Sequence, residues 1–189
     1  MQITLCNGKG GAGKSTLAVL LCIAFQKAGR HAGLIDRDPQ GTATRWIGEI
    51  EGVELVREGT SYDVIIVDTP PRLDSELLHQ SLAASDCAIL VTSPSPADLW
   101  TSQDTVGIIR QHLPSGKPAR ILFNQVQRRT LLALDLDNLA GRIGLPALAT
   151  RLGRRQAFQH AALLGWAGLD GQSRDEMTAA ASEISSLIS

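Results

Sequence analysis

Eight consecutive residues near the start of the chain, Gly8-Lys9-Gly10-Gly11-Ala12-Gly13-Lys14-Ser15, have the spacing G-x-x-x-x-G-K-[ST]. Glycines at these positions let successive backbone N–H groups turn inward and form a nest of partial positive charge. Such a nest suits the oxygens of a phosphate chain. A lysine after the last glycine reaches the β- and γ-phosphates, and the next hydroxyl can hold magnesium. Lys14 and Ser15 take those two places. Lys9 is not demanded by this logic. It is either an exposed loop lysine or a cation for a phosphate that its own backbone does not reach.

Three carboxylates complete the chemistry. Asp68 closes the apolar run Val64-Ile65-Ile66-Val67, a position from which a carboxylate can hold a magnesium-bound water. Alone it would be an ordinary strand-end turn former, but beside a phosphate loop it reads as the second half of a nucleotide site. Asp36 and Asp38 stand in Asp36-Arg37-Asp38-Pro39-Gln40-Gly41, where two carboxylates can hold metal waters and orient an attacking water.

These residues need elements to bring them together. Short apolar runs at Ile3–Cys6, His31–Ile35, Val53–Val56, Val64–Val67, Cys87–Val91 and Arg120–Phe123 predict strands. Helical stretches at Lys14–Ala28, Ser75–Ala84, Ala97–His112, Thr130–Ile143, Gln156–Leu164 and Arg174–Ile188 separate and follow them. Strands that are apolar throughout imply a sheet covered on both faces. The expected fold is therefore α/β: a doubly wound, mostly parallel sheet with helices on both faces, in one domain spanning residues 1–189. Such a sheet gathers ligands at the carboxyl ends of its strands. The loops starting at Asn7, Asp36, Asp68 and Thr92 should converge there.

Composition narrows the classes. The 189 residues are 43% hydrophobic and 20% charged, which fits an ordinary globular domain and not a disordered chain. No apolar run approaches the roughly 20 residues of a membrane span, and the start lacks an export signal. Cys6, Cys22 and Cys87 match no metal or disulfide framework, so a reducing compartment is expected. The histidines lack ligand spacing. The net charge of −1 conceals an asymmetry, because residues 110–155 carry nine basic side chains against two acidic ones. That block is either a polyanion-binding face or a solvated surface that favours arginine.

Taken together, the motifs resemble the ParA/MinD family of P-loop ATPases. Lys9-Gly10-Gly11-Ala12-Gly13-Lys14-Ser15 resembles that family's deviant Walker A motif, Asp36-x-Asp38-Pro39-Gln40-Gly41 its second motif, and Val64–Asp68 with Thr69-Pro70-Pro71 its Walker B. Thr92-Ser93-Pro94-Ser95-Pro96-Ala97-Asp98-Leu99 and Arg154-Arg155-Gln156-Ala157-Phe158 resemble segments of small plasmid-partition members. The resemblance implies ATP and Mg²⁺ as ligands and slow ATPase activity. It implies an ATP-dependent homodimer in which Lys9 crosses to the partner's phosphates, binding to non-specific double-stranded DNA, and hydrolysis stimulated by a ParB-like or cargo-adaptor protein. A plasmid, a chromosome region or a protein organelle such as a carboxysome would be the cargo, and the protein would be cytoplasmic and nucleoid-associated.

Carried over by residue, the catalytic group is Lys9, Lys14 and Asp38, with Asp38 orienting the attacking water. Gly8, Lys9, Gly10, Gly11, Ala12, Gly13, Lys14, Ser15, Thr16 and Asn124 bind nucleotide, Asn124 being either an adenine contact or a strand-end turn. Ser15, Asp36 and Asp68 serve the metal, and Thr69 and Pro70 form a γ-phosphate switch. Arg128, Arg129, Arg151, Arg154 and Arg155 are the candidate DNA contacts, with Lys117 and Arg120 as further possibilities. Two departures stand out. No helix-turn-helix precedes the first loop, and Gly48–Tyr62 is shorter than the family's usual excursion. The closing helix is too acidic for membrane attachment. The competing reading is a metabolic P-loop ligase of the dethiobiotin synthetase type, which the basic block and Lys9 disfavour. Trp46, Trp100 and Trp166 are expected in core or interface packing.

Overall fold

A computed structural model describes residues 1–189 except Glu49, Glu51, Arg128 and Ser189. Six strands form one sheet in the order β2-β3-β1-β4-β5-β6, and every neighbouring pair is parallel. The strands are β1 (Gln2–Cys6), β2 (Ala32–Asp36), β3 (Val64–Asp68), β4 (Cys87–Thr92), β5 (Ala119–Val126) and β6 (Ala147–Gly153). The helices are α1 (Lys14–Lys27), α2 (Thr42–Ile47), α3 (Glu76–Ala83), α4 (Pro96–His112), α5 (Leu131–Leu134), α6 (Leu136–Ile143), α7 (Ala157–Leu164) and α8 (Gly171–Ile188).

Alternating side chains of the central strands feed two separate cores. Ile3, Leu5 and Ile66 pack under α1, α7 and α8, while Cys6, Ala88, Leu90 and Phe123 pack under α3, α4 and α6. Helix α1 is buried without interruption from Leu17 to Phe25 because the sheet lies on one side and α8 on the other. Its amino end, where the phosphate loop terminates, is thereby fixed rigidly.

The structure departs from the sequence expectations at four places. Val53–Val56 forms no strand and makes a single bridge, Leu55 to Leu34, at the outer edge of β2. The expected helix Thr130–Ile143 is broken, since Thr130 Oγ1 caps α5 by accepting from Ala133 N (3.2 Å) and Asp135 starts α6 anew. Helix α2 and strand β6 were not foreseen. β6 carries Thr150 and Arg151 in its middle because it is an edge strand. Its free edge is closed by acids of α8: Glu183 accepts from the N–H groups of Ala149 (2.5 Å) and Thr150 (2.9 Å), and Glu176 from that of Gly153 (3.0 Å).

Candidate functional site

The loop between β1 and α1 is built by its own residues. Gly11 and Gly13 have φ of +78° and +94°, which a side chain would strain, and a Cβ on Gly13 would also overlap the Asn124 amide. Buried Asn7 ties the loop down at its start. Its amide donates to the Val91 carbonyl (2.6 Å), and its Oδ1 accepts from Lys9 N–H (2.8 Å). From the other side, Asn124 donates to the Ala12 carbonyl (2.9 Å) and Gln125 to that of Gly11 (3.3 Å). Gln125 does so in a left-handed conformation (φ +55°). Among the described residues no side chain caps the first turn of α1, so its N–H groups are open to an anion.

The two lysines of the loop diverge. Lys14 is buried and donates to the Asn7 carbonyl (3.3 Å) beneath the loop. Burial lowers its pKa, opposed mainly by the charge of Asp68. Lys9 leaves the cradle and pairs with Asp98 in the first turn of α4.

Asp36 and Asp68 pair in register at the ends of β2 and β3. Asp68 is wholly buried, and neither of its oxygens has a hydrogen-bond partner among the described residues. Burial pushes its carboxyl pKa up to about 6. Ser15 and Lys14 approach and pull it back, without completing a hydrogen bond in this geometry. An orphaned carboxylate beside a hydroxyl suits a hard cation or its water shell. Among the described residues no cluster of three or more His, Cys, Asp or Glu side chains could hold a metal. That combination fits magnesium held chiefly through phosphates and water.

Two of the expected site residues have other work. Asp36 accepts from Asp38 N–H (3.0 Å), Thr44 N–H (2.8 Å) and the Thr44 hydroxyl (2.8 Å). It therefore shapes the turn that carries Asp38, and it would reach a metal only through its remaining lone pairs. The Thr69 hydroxyl donates to the Leu5 carbonyl (2.7 Å) and points into the sheet, so a switch here would act through backbone or Pro70. Leu73, just beyond, packs on Gly8, with its Cγ 2.8 Å from where a Cβ would sit. Asp38 stays half-buried, its Oδ1 accepting from Gln40 N–H (3.0 Å).

A cavity of about 390 Å³ opens beside the loop, lined by Gly13, Thr16, Trp46, Asn124, Gln125 and Phe158 among others. It is the size and polarity of a nucleobase-and-ribose site. Trp46 belongs to this wall. Trp166 is half-buried with the Lys27 ammonium 5.7 Å from its ring centre, and Trp100 is 70% exposed, so it packs into no core.

The basic block does not form one face. Arg155 gives both terminal nitrogens to Glu176 (2.6 Å each) and is withdrawn from solvent, and Arg151 pairs with Asp137 (3.2 Å) with its guanidinium carbon 5.6 Å from the centre of the Phe123 ring. Both guanidiniums are already engaged by acids of this chain, unlike the freely exposed arginines of the block. Lys117 pairs with Asp86 (2.7 Å) at the opposite end of the sheet, where Arg120 also lies. Arg129 and Arg154 are exposed at the carboxyl end, and Arg128 lies outside the described residues. The sequence reading missed Asn7, Gln125, Ser93 and Asp98 as site residues. Asn7, Ser93 and Asp98 lie in the strand-end loops that start at Asn7 and Thr92, and that position is the signal the sequence offers for them.

Comparison with known proteins agrees with this geometry. Residues 3–165 match the CobQ/CobB/MinD/ParA nucleotide binding domain. The maintenance of carboxysome distribution protein A of Gloeobacter kilaueensis is 35% identical over 178 residues, covering 86% of this chain and 81% of that protein. The chromosome-partitioning ATPase Soj of Thermus thermophilus is 27% identical over 187 residues, covering 72% and 74%. A plasmid partition protein of Borrelia burgdorferi, solved with AMPPNP, superposes with a TM-score of 0.74 at 18% identity, covering 98% of this chain and 97% of that one. The chain belongs to the CobQ/CobB/MinD/ParA family of nucleotide-binding domains.

Proposed function

We propose that this protein is a ParA-type positioning ATPase. It binds ATP with magnesium at Gly8–Thr16, joins a second copy face to face, and holds non-specific double-stranded DNA in that state. Hydrolysis, stimulated by a cargo-adaptor protein, then releases it. The cycle would distribute a cargo over the nucleoid. The observation that carries this reading is the divergence of the two lysines. Lys14 alone is placed to neutralise phosphates bound by its own loop. Lys9 projects from the loop to the α4 side, where an intramolecular ligand does not need it.

Within the cycle, Gly11, Gly13 and the open turn of α1 orient the phosphates, and Lys14 neutralises their charge. Ser15 and Asp68 would hold magnesium, which would supply positive charge against the charge developing on the phosphates. Asp38, positioned by Asp36, orients the attacking water. Asn124 and Trp46 bound the base, and Arg129 and Arg154 are the exposed arginines available for DNA phosphates.

The test is binding to non-specific duplex DNA with no nucleotide, Mg-ADP or Mg-ATP, at two salt concentrations, for wild type and Lys9→Ala. Binding confined to Mg-ATP, weakened by salt and lost in Lys9→Ala, is the expected result. Absence of binding in every state would discard the positioning reading. Turnover that depends on a small carboxylate or amine would then support the ligase alternative.

A further inference from the structure

Lys9 and Asp98 form an ion pair with one wet and one dry end, since their side chains are 47% and 7% exposed. The second oxygen of Asp98 accepts from the Ser93 hydroxyl. Asp98 also lies in the first turn of α4, after the N-cap residue Ser95, where the helix end carries partial positive charge. Hydroxyl and helix end together compensate the carboxylate in part when the ammonium leaves. Without them a buried, unpaired carboxylate would hold Lys9 almost permanently. The contact is therefore built to open.

We propose that Lys9, Asp98 and Ser93 form a latch in cis. In the nucleotide-free subunit Asp98 keeps the Lys9 ammonium on its own chain and so withholds it from a second copy. A phosphate presented by that copy must outcompete Asp98. Opening the latch leaves Ser93 as the remaining side-chain partner of Asp98 among the described residues and loosens the β4–α4 connection. Ser93, Pro94 and Ser95 line a cavity with Gln125, Leu132 and Arg154, so the change reaches the surface beside α5. The latch rests on the dimer reading above and supplies its threshold: self-association is slow to start because each subunit first has to surrender an internal ion pair.

The test uses Asp98→Asn, which keeps the size and an oxygen for Ser93 but removes the charge. In nucleotide-free protein, acylation of Lys9 by an N-hydroxysuccinimide ester, read by peptide mass spectrometry, should be several-fold faster than in wild type. With magnesium and a non-hydrolysable ATP analogue, self-association followed by sedimentation should tighten about tenfold or more, the scale of one charge-assisted hydrogen bond. Asp104→Asn, on the exposed side of the same helix, should change neither. A merely structural role for Asp98 predicts weaker association, because α4 would lose its first turn. Unchanged labelling, or association no tighter than wild type in a wild type that does associate, overturns the latch alone. A wild type that never self-associates with nucleotide overturns the dimer reading and the latch with it.

Discussion

Asp68→Asn should make the nucleotide-free protein more stable, although it removes the carboxylate proposed to serve the metal. The Asp68 carboxyl is raised from 3.8 to about 6, chiefly by burial. A shift of about two pKa units, at ~1.4 kcal/mol each, corresponds to ~3 kcal/mol against the ionised side chain at pH 7. The folded chain binds this proton more tightly than the unfolded chain does. The penalty is thus complete above about pH 6, shrinks as pH falls toward 3.8, and disappears below both values. Asparagine carries no such charge, so the variant should gain about 2–3 kcal/mol at pH 7, or ~5–10 °C in Tm for a domain of this size. At pH 5 the gain should fall to about half. Urea unfolding followed by circular dichroism at both pH values, without nucleotide, measures it, and comparing variant with wild type cancels other titrating groups. Magnesium and ATP should stabilise wild type far more than the variant. A variant no more stable than wild type at pH 7, or a gain independent of pH, would refute the argument that Asp68 is a desolvated anion awaiting a cation.

Other perturbations separate binding from folding. Gly13→Ala introduces a side chain at φ +94° against Asn124, and should abolish binding of a fluorescent ATP analogue while circular dichroism still reports a folded chain. Arg155→Ala should cost about 2–3 kcal/mol in urea unfolding, because the bidentate pair with Glu176 is lost. Arg154→Ala and Arg129→Ala should leave stability within about 0.5 kcal/mol of wild type, and each should lower the salt dependence of DNA binding by about one phosphate in filter-binding titrations. Trp46 lines the cavity proposed for the base, so ATP should change tryptophan emission in wild type and leave Trp46→Phe nearly unresponsive.

The sequence made the phosphate loop, the strands at Ile3–Cys6, His31–Ile35, Val64–Val67, Cys87–Val91 and Arg120–Phe123, and the loops at Asp36, Asp68 and Thr92 legible, because each is written in local spacing. What it did not carry is pairing across the fold. Arg151 and Arg155 look like free cations until α6 and α8 bring Asp137 and Glu176 to them. Asp98 looks like a helix-start acid until Lys9 arrives from 89 positions away. Strand β6 was hidden by its own edge position, where Thr150 and Arg151 replace the continuous apolar run that marks the interior strands. The break at Asp135 was masked by a leucine pattern that spans two helices.

The acids that α8 lays along β6 close the one edge of the sheet that ends the strand order on that side. In the proposed cycle the subunit meets a second copy only with nucleotide, and an open sheet margin would endanger that control, since a bare strand recruits neighbours without a signal. Glu183 and Glu176 fill backbone donors there with carboxylates, and Glu176 is at the same time held by Arg155. Trimming the chain before Glu176 would remove that guard together with the α8 face of one core. The shortened protein should then form strand-paired aggregates indifferent to nucleotide, and reversible meeting at the phosphate loop would give way to accretion at the sheet margin.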